Sequence, residues 1–452
     1  MSQTLIKRLP ATAAAFALMT SAIIATAVAA QDASGDGTTP DPQATADTIG
    51  KEVAQIRGLP FKHPVGAETQ SAQEFSKYVQ RQIDAEVPPS VRQHYGLIVK
   101  TLGLYRGPVI DDFNAMMTSV MVSQAGAYYD PQKQRFYMLM NRMPEMMRDA
   151  LYSHELYHAL QDQYFDLSRY MGWGQGSPGL NSDQKLARAA VVEGEATYMM
   201  TLWMFQKMMN GAPPREALAT AVEMQAGMGI EQIRAMLQKP QMGELVGEDI
   251  QAALESTDKI PAFILEEMVG AYLKGMGFVF AVQEQGWPMV EKLYREYPPQ
   301  STEHVLHPEK WLAREAAIAI DWPDLGKVAE LRDWELLDSD VLGEFRWRSV
   351  FKEYGLASEA ESAAAGWGGD RYAVFKRKGS DATLLLLSTA WDSKKDAEEF
   401  AGAYRRVLKM KYAGAPVASQ IVEDGTDVLV VEGGDEADTG SLMETVKRAR
   451  KR

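Results

Sequence analysis

The chain has 452 residues, of which 46% are hydrophobic and 24% charged, and its formal net charge is −14. This composition is that of a folded protein with sizeable cores, which excludes fibrous, collagen-like and wholly disordered chains. Its length, about three times that of a common domain, predicts more than one domain. The acidic balance argues against nucleic acid as a partner. Because the chain has no cysteine, disulfides, thiolate metal sites and cysteine nucleophiles are excluded.

The first 30 residues have the pattern of a secretory signal peptide. Lys7 and Arg8 precede an uncharged, Ala-rich run from Ala11 to Ala30, and the small residues at its end suit cleavage before Gln31. An uncleaved membrane anchor is the alternative, although the run is only weakly apolar. No later segment is an apolar run of about 18 residues. We therefore expect a periplasmic or secreted protein with no stable membrane insertion after cleavage.

The rest of the chain divides into three parts by its patterns. Residues 31–55 begin with a small, polar stretch containing Pro and Gly, which predicts a flexible linker. Residues 56–335 are expected to be mainly helical, with a small β-sheet lobe formed by a hairpin within 118–140. Strands followed by helices in residues 336–452 predict a small α+β domain of the ferredoxin-like type. The fold class is therefore α+β.

The segment His154-Glu155-Leu156-Tyr157-His158 carries the most specific chemical signal. It lies inside a predicted helix from Pro144 to about Phe165, and residues four apart share one helix face. Both imidazoles can then bind one metal ion, while Glu155 can take a proton from a water that the ion activates. Zn²⁺ suits this chemistry because it lowers the pKa of such a water towards 7.

A catalytic zinc ion needs a third protein ligand. Acidic candidates on the next predicted helix are Glu193 and Glu195, and residues two apart on a helix point about 200° apart, so only one of them can face the ion. Gly194 between them costs about 1 kcal/mol relative to Ala. Such a glycine is tolerated where the helix must approach another helix closely.

These segments together resemble the gluzincin zinc metallopeptidases, and among them the membrane-alanyl-aminopeptidase-like branch. The third zinc ligand of that branch is the Glu of an Asn-Glu-Gly-x-Ala segment, so the resemblance implies that Glu193 is the ligand. The branch also has a catalytic tyrosine in Pro-Tyr-x-Lys-Gly, which is similar to Ala271-Tyr272-Leu273-Lys274-Gly275. The resemblance thus implies a gluzincin-like catalytic domain in which Tyr272 hydrogen-bonds the oxyanion of the tetrahedral intermediate.

The chain departs from that branch where the substrate's free amine is recognised. A Gly-x-Met-Glu-Asn strand performs this task in the aminopeptidases, whereas this chain has Gly126-Ala127-Tyr128-Tyr129-Asp130. The resemblance therefore favours an endopeptidase, or a peptidase with other terminal specificity, over an aminopeptidase. An extended substrate could pair with this strand if the strand lies at a sheet edge.

The chain also resembles a poorly characterised family of exported bacterial proteins. The recurring segments of that family correspond here to AGAYYDP, HELYHALQDQYFDL, VVEGEAT, PPQSTEHVLHPEKW and AAAGWGGDRYAVF. This resemblance implies no substrate.

Three further side chains have alternative roles at this stage. His307, in the segment from Pro298 to Pro308, is either a second electrophile near the zinc or, with His304, part of a structural loop bonded to backbone. Asp162 shares a helix face with His158, so it either orients a ligand or is a surface carboxylate.

The combined expectation is an exported metallopeptidase that hydrolyses a peptide or protein substrate with one Zn²⁺ per chain. One alternative is a non-catalytic zinc-binding envelope protein, which would not need Glu155 beside its ligands. The other is a metal-dependent amidase that acts on cell-wall peptides.

Overall fold

The computed structural model describes residues 41–451, apart from 109, 111, 140–143, 174–178, 238–259 and 415–416. The predicted signal peptide, residues 1–30, lies outside the described residues. Within the described part, the protein is a mixed α+β structure. No helix in that part is long and apolar enough to cross a membrane.

The helices of the first 320 residues surround a small sheet. They are α1 (Pro42–Arg57), α2 (Ala72–Glu86), α3 (Pro89–Thr101), α4 (Phe113–Gln124), α5 (Glu145–Phe165), α6 (Leu167–Tyr170), α7 (Ser182–Met209), α8 (Arg215–Ala226), α9 (Ile230–Leu237), α10 (Ala262–Gln283), α11 (Trp287–Arg295), α12 (Thr302–Leu306) and α13 (Pro308–Leu312). The sheet contains β1 (Gly66–Thr69), β2 (Ala127–Asp130) and β3 (Arg135–Met138).

The second part of the chain begins with the short strand β4 (Ile320–Asp321) and two 3₁₀ turns, Leu325–Lys327 and Ala329–Leu331. It continues with β5 (Trp334–Asp340), α14 (Gly343–Glu353), α15 (Ala360–Ala364), β6 (Trp367–Arg377), β7 (Thr383–Trp391), α16 (Lys394–Lys411), β8 (Ser419–Asp424), β9 (Asp427–Gly433), α17 (Glu436–Val446) and β10 (Arg450–Lys451).

Helix α1 corrects the prediction of a flexible linker for residues 42–55; residues 31–40 of that prediction lie outside the described residues. The Asp41 side chain accepts a hydrogen bond from the Gln43 N–H and so caps the helix, and Pro42 occupies the first turn, where its missing N–H costs nothing. Ile49 and Val53, four residues apart, are both buried. This apolar spacing stabilises a helix that packs on the core, whereas the polar composition of the preceding residues predicts a linker.

The small β lobe is made of different strands from those of the predicted hairpin. Residues 113–124 form helix α4, whose first turn is capped by Asp112 accepting from the Ala115 N–H at 2.9 Å, so the β-rich run begins only at Ala127. Strands β2 and β3 are antiparallel as predicted, and β1 adds in parallel to β3. The resulting order, β1-β3-β2, leaves β2 at a sheet edge.

The C-terminal sheet is not ferredoxin-like. A ferredoxin-like sheet has split β-α-β units, in which another strand lies between the two strands that a helix joins. The second half of this part contains one such unit, since β9 lies between β7 and β8, which α16 joins. The first half does not: β5 and β6, which α14 and α15 join, are direct neighbours and antiparallel, so that the whole order is β5-β6-β7-β9-β8. Helix α16 packs on one face of the sheet and α17 on the other.

Buried polar contacts attach the C-terminal part to the helices. Arg346 on α14 makes two hydrogen bonds to the Glu267 carboxylate on α10, at 2.6 and 3.0 Å. The Ser182 N–H at the start of α7 donates to the Asp340 carboxylate at the end of β5, at 3.1 Å. Within the C-terminal part, Asp370, in the segment AAAGWGGDRYAVF, accepts from two backbone N–H groups that precede and begin α14. That segment therefore has a structural role here.

Helices α7 and α10 approach each other closely at Gly194 and Gly275. A Cβ at Gly194 would lie 2.1 Å from the carbonyl carbon of Gly275, and a Cβ at Gly275 would lie 2.0 Å from the Ala190 oxygen. Only glycine fits these positions, which confirms the expectation that Gly194 serves a close helix approach. Glu193 lies beside Gly194, and Tyr272 lies one turn before Gly275. The crossing therefore brings these two side chains to the same region of the core.

Candidate metal centre

Three buried side chains converge between helices α5 and α7. His154 Nε2 and His158 Nε2 are 3.0 Å apart, and each lies 3.3 Å from Glu193 Oε2. The three side chains are at most 7% exposed. The structure thus brings together the two histidines of the motif and the glutamate that the resemblance implies.

The spacing and chemistry of these donors fit a tetrahedral metal ion. Two ligands about 2.0–2.1 Å from such an ion lie about 3.3 Å apart, close to the three separations found here. The second oxygen of Glu193, Oε1, is buried and has no hydrogen-bond partner among the described residues. Buried polar atoms without partners call for a water or an ion. Two imidazoles and a carboxylate are the donor set of many catalytic zinc sites.

Electrostatics at the centre favour a positive charge. Burial lowers the pKa of His154 to about 4, since it penalises the charged imidazole more than Glu193 stabilises it. Burial also acts to lower the pKa of His158, but the Glu193 carboxylate outweighs it and raises that pKa to about 9. For Glu193 itself, burial acts to raise the pKa, and the two imidazoles hold it below its usual range. The carboxylate is therefore ionised and attracts a cation.

Glu155 lies next to the donors, and one of its two carboxylate oxygens is hydrogen-bonded. Its Oε2 accepts a hydrogen bond from the Tyr129 backbone N–H at 3.0 Å, on the open edge of strand β2. Its Oε1 is buried and has no partner among the described residues. Burial raises the pKa of Glu155 to about 7, so this carboxyl group is suited to accept and release a proton near neutral pH.

Gln161 is a site residue that the sequence reasoning missed. Its Oε1 lies 2.8 Å from His158 Nδ1, three residues earlier on the same helix. Its Nε2 donates to the Val192 carbonyl oxygen and to the Glu195 carboxylate. A polar residue at i+3 from a candidate ligand was the available signal, since that spacing puts it on the same helix face.

Glu195 occupies a different buried cluster from Glu193, as the helix geometry requires. It accepts hydrogen bonds from the hydroxyls of Tyr157 and Tyr294, each at 2.6 Å, and lies 3.4 Å from Arg57 Nε. The carboxylate is fully buried, and the Arg57 guanidinium neutralises it. The two glutamates of the segment thus have separate tasks, one among the three donors and one behind them.

Tyr272 packs directly on the first histidine. Its ring is stacked against His154, with centroids 5.6 Å apart and planes 18° apart, and the side chain is buried. Helix α10 holds it there through the crossing at Gly275. The structure therefore brings Tyr272 to the donors, in keeping with a role beside them.

His307 does not join this group, which corrects the prediction of a second electrophile there. Its Nε2 lies 3.1 Å from Glu344 Oε1 and 3.5 Å from Arg348 Nη2, both on α14. The hydrogen bond to buried Glu344 raises the pKa of His307. Helix α12, just before His307, is bonded to Asp183, and ten residues of α7 separate Asp183 from Glu193, a rise of about 15 Å. His307 thus contributes to the contact between the two parts of the chain.

The remaining candidates have structural partners. His304 bonds to backbone on both sides, at Gln300 and Glu315, as the structural alternative predicts. Asp162 orients neither histidine: it accepts from the Tyr129 hydroxyl at 3.0 Å and the Leu167 N–H at 3.0 Å.

A second group of carboxylates in the described residues consists of Glu303, Glu315 and Asp392. The Lys310 ammonium lies within 2.9 Å of an oxygen of each. Because one lysine already bonds all three, their proximity has an explanation without a metal ion.

A pocket with mainly apolar walls opens beside the three donors. Glu155, His158 and Glu193 form one side of it. Its other walls include Tyr129, Leu167, Met171, Trp173, Ala189 and Val192. No charged side chain other than those of the centre lines it in the described part of the chain.

Comparisons with known proteins give limited similarity. Residues 334–443 match a sequence family described as a domain of unknown function, DUF8575. The chain matches no curated protein. Among solved structures, it is similar to a protein from Chloroflexus aurantiacus described as a "putative hydrolase with a novel fold", with 14% identity and a TM-score of 0.33. That similarity covers 66% of this chain and 97% of the other.

Proposed function

We propose that the protein is an exported zinc-dependent metallopeptidase of the gluzincin type, acting in the periplasm or outside the cell. The observation that carries the proposal is the convergence of His154, His158 and Glu193, with Glu155 beside them. The three donors fit a zinc ion, and no fourth side-chain donor of the same group is present in the described residues. A three-residue donor set is typical of catalytic rather than structural zinc sites.

A zinc ion bound there would polarise the substrate carbonyl and acidify a water. Glu155 takes a proton from the attacking water with its free Oε1 and passes it to the nitrogen of the leaving amine. Its other oxygen stays bonded to the Tyr129 N–H, which holds the carboxyl group in place. The net reaction adds one water across one peptide bond.

Tyr272 is the side chain proposed to bind the oxyanion that develops on the substrate. Its ring lies against His154, so it can reach a substrate at the same donors. Electrostatic stabilisation by such a donor acts mainly in the transition state.

The apolar pocket supports a preference among peptide substrates. A side chain next to the cleaved bond that entered it would meet Leu167, Met171 and Val192 and no neutralising partner for a charge. Burying an unpaired charge is costly, so the pocket should accept uncharged apolar side chains. Peptides with Leu or Phe beside the cleaved bond should therefore react faster than those with Asp or Lys.

Metal analysis combined with peptide digestion tests the proposal. We expect one zinc per chain in the purified protein, cleavage of unstructured peptides, and loss of both in His158→Ala. His94→Ala is the matched control, because the half-buried His94 ring bonds to the Ser90 carbonyl on its own helix and is not one of the three donors. An unchanged zinc content in His158→Ala would remove the proposed centre.

Cleavage products separate the remaining alternatives. A protein that binds zinc but cleaves neither peptides nor cell-wall fragments would be the non-catalytic zinc-binding protein. Cleavage of cell-wall peptide links alone would identify the metal-dependent amidase.

Replacing Tyr272 with Phe is expected to lower kcat by roughly 10²–10³-fold with little change in KM. The reason is that the lost hydroxyl interacts with charge that exists only in the transition state. Zinc content and melting temperature should remain near those of the unmodified protein. Steady-state kinetics on one peptide measure the effect.

His307→Ala is the comparison for this prediction, since the structure places His307 with Glu344. It should keep kcat within a few-fold. The opposite pattern, with His307→Ala inactive and Tyr272→Phe active, would contradict the assignment of Tyr272.

A further inference from the structure

Behind the three donors lies a continuous set of buried hydrogen bonds that begins at His158. We propose that Gln161, Tyr294 and Glu195 form a positioning network that fixes the orientation and tautomer of His158 and thereby sets the affinity for the metal ion. The inference rests on the proposed zinc centre and concerns residues that do not touch the ion.

The network determines which atom of Gln161 faces the histidine. Its Nε2 lies 3.0 Å from the Val192 carbonyl oxygen and 3.1 Å from Glu195 Oε2, and both of these atoms can only accept. The amide nitrogen must therefore point to them, and Oε1 must point to His158 Nδ1 at 2.8 Å. Because Oε1 only accepts, His158 Nδ1 carries the proton and leaves Nε2 free to bind a metal.

The Gln161 amide is also held in place by Tyr294 and Glu195. Gln161 Nε2 also lies 2.8 Å from the Tyr294 oxygen, and the Tyr294 hydroxyl donates to Glu195 Oε2 at 2.6 Å. Glu195 in turn is held by Tyr157 and Arg57. Every hydrogen bond of the network lies in the buried interior, where such networks are strong when complete.

The chemistry of this support is unusual for a metal-binding histidine. The outer partner is commonly a carboxylate, a backbone carbonyl or a water. Here a neutral amide lies between the imidazole and the Glu195 carboxylate. On its Nδ1 side the histidine is thus oriented without an anion in direct contact, and the charge of Glu195 is neutralised by Arg57 at the far end of α1.

The effect on metal affinity can be measured without any substrate. Loss of an outer partner typically weakens metal binding about 10–100-fold. Gln161→Met, which has a similar shape but no acceptor, should show a loss of that size in a chelator competition for Zn²⁺. Gln161→Glu keeps an acceptor oxygen and should bind zinc more tightly than Gln161→Met.

Tyr294 and Tyr170 are neighbours, and replacing either with Phe removes only a hydroxyl group. The Tyr294 hydroxyl belongs to the network, whereas the buried Tyr170 hydroxyl has no hydrogen-bond partner among the described residues. Their rings lie 4.8 Å apart. Tyr294→Phe should weaken zinc binding several-fold, and Tyr170→Phe should leave it unchanged.

The test compares the zinc dissociation constants of these four variants with that of the unmodified protein. The unfolding temperature of each metal-free protein shows whether that protein is folded. If the unmodified protein binds zinc and Gln161→Met binds it equally tightly, the network has no positioning role. Equal losses in Tyr294→Phe and Tyr170→Phe would contradict it too, even if Gln161→Met does not fold. Failure of the unmodified protein to bind zinc would instead overturn the proposed function, and this inference with it.

Discussion

Replacing Glu155 with Gln is expected to abolish peptide cleavage while the zinc remains bound. The amide has nearly the same shape as the carboxylate, and Glu155 is not one of the three donors, so the metal centre should persist. The amide cannot accept the proton of the attacking water. Loss of a general base typically costs about 10²–10⁴-fold in turnover. Zinc content and initial rates on the same protein preparation measure both parts of the expectation.

The same substitution at Glu145 is the control, because Glu145 lies in the first turn of the same helix and its side chain is 77% exposed. Glu145→Gln should keep full activity and zinc. If Glu155→Gln retained near-full turnover, another group would have to activate the water. If it lost zinc as well, the loss of activity would say nothing about proton transfer, and Glu155 would have to be counted among the ligands.

Adding one methyl group at Gly194 or Gly275 is expected to destabilise the protein by about 3 kcal/mol or more. Overpacking a core typically costs 1–3 kcal/mol, and occasionally more when the surroundings cannot move. Here the obstacle is backbone, 2.1 Å from the new Cβ at Gly194 and 2.0 Å at Gly275. The two helices must separate or shift, which also moves Glu193 away from the histidines. Urea unfolding of each alanine variant measures the free energy of unfolding.

Gly402→Ala is the matched control for these substitutions. Gly402 lies within helix α16, and no heavy atom is within 4 Å of its would-be Cβ. Alanine there should stabilise the helix by about 0.5–1 kcal/mol. If Gly194→Ala and Gly402→Ala changed the free energy of unfolding equally, the close crossing would not exclude larger residues at position 194. Reduced zinc affinity in Gly194→Ala, measured below its unfolding transition, would connect the crossing to the metal centre.

Local sequence patterns were enough for the helix that carries the two histidines. The spacing of His154 and His158 and the position of Glu155 between them determine which groups share a face, because the 3.6-residue period acts within one helix. The long helix from Ser182 to Met209 was also predictable, since Asn181 caps it and its glycine signals a close neighbour. These features depend on residues a few positions apart.

Other features depend on residues far apart in the chain, and these were missed or mistaken. The order of the C-terminal strands, for example, depends on which strands pair across the sheet, and the sequence of one strand does not specify its partner. Helix α1 was assigned to a linker because of the small, polar residues with Pro and Gly at the start of 31–55. The sequence left His307 with two alternative roles, one of them near the metal, and only its contact with Glu344, 37 residues away, decided between them.

The sequence by itself determined the chemical groups of the candidate centre and the face on which two of them lie, because helical periodicity is a local property. Only the tertiary structure decided that Glu193 faces the histidines while Glu195 faces Arg57, since the crossing at Gly194 and Gly275 sets the rotation of α7 against its neighbours. The network through Gln161 and Tyr294 was likewise decided by packing, since its members are up to 133 residues apart. Burial, which raises the pKa of Glu155 and makes unpaired charges costly, exists only once these helices have assembled.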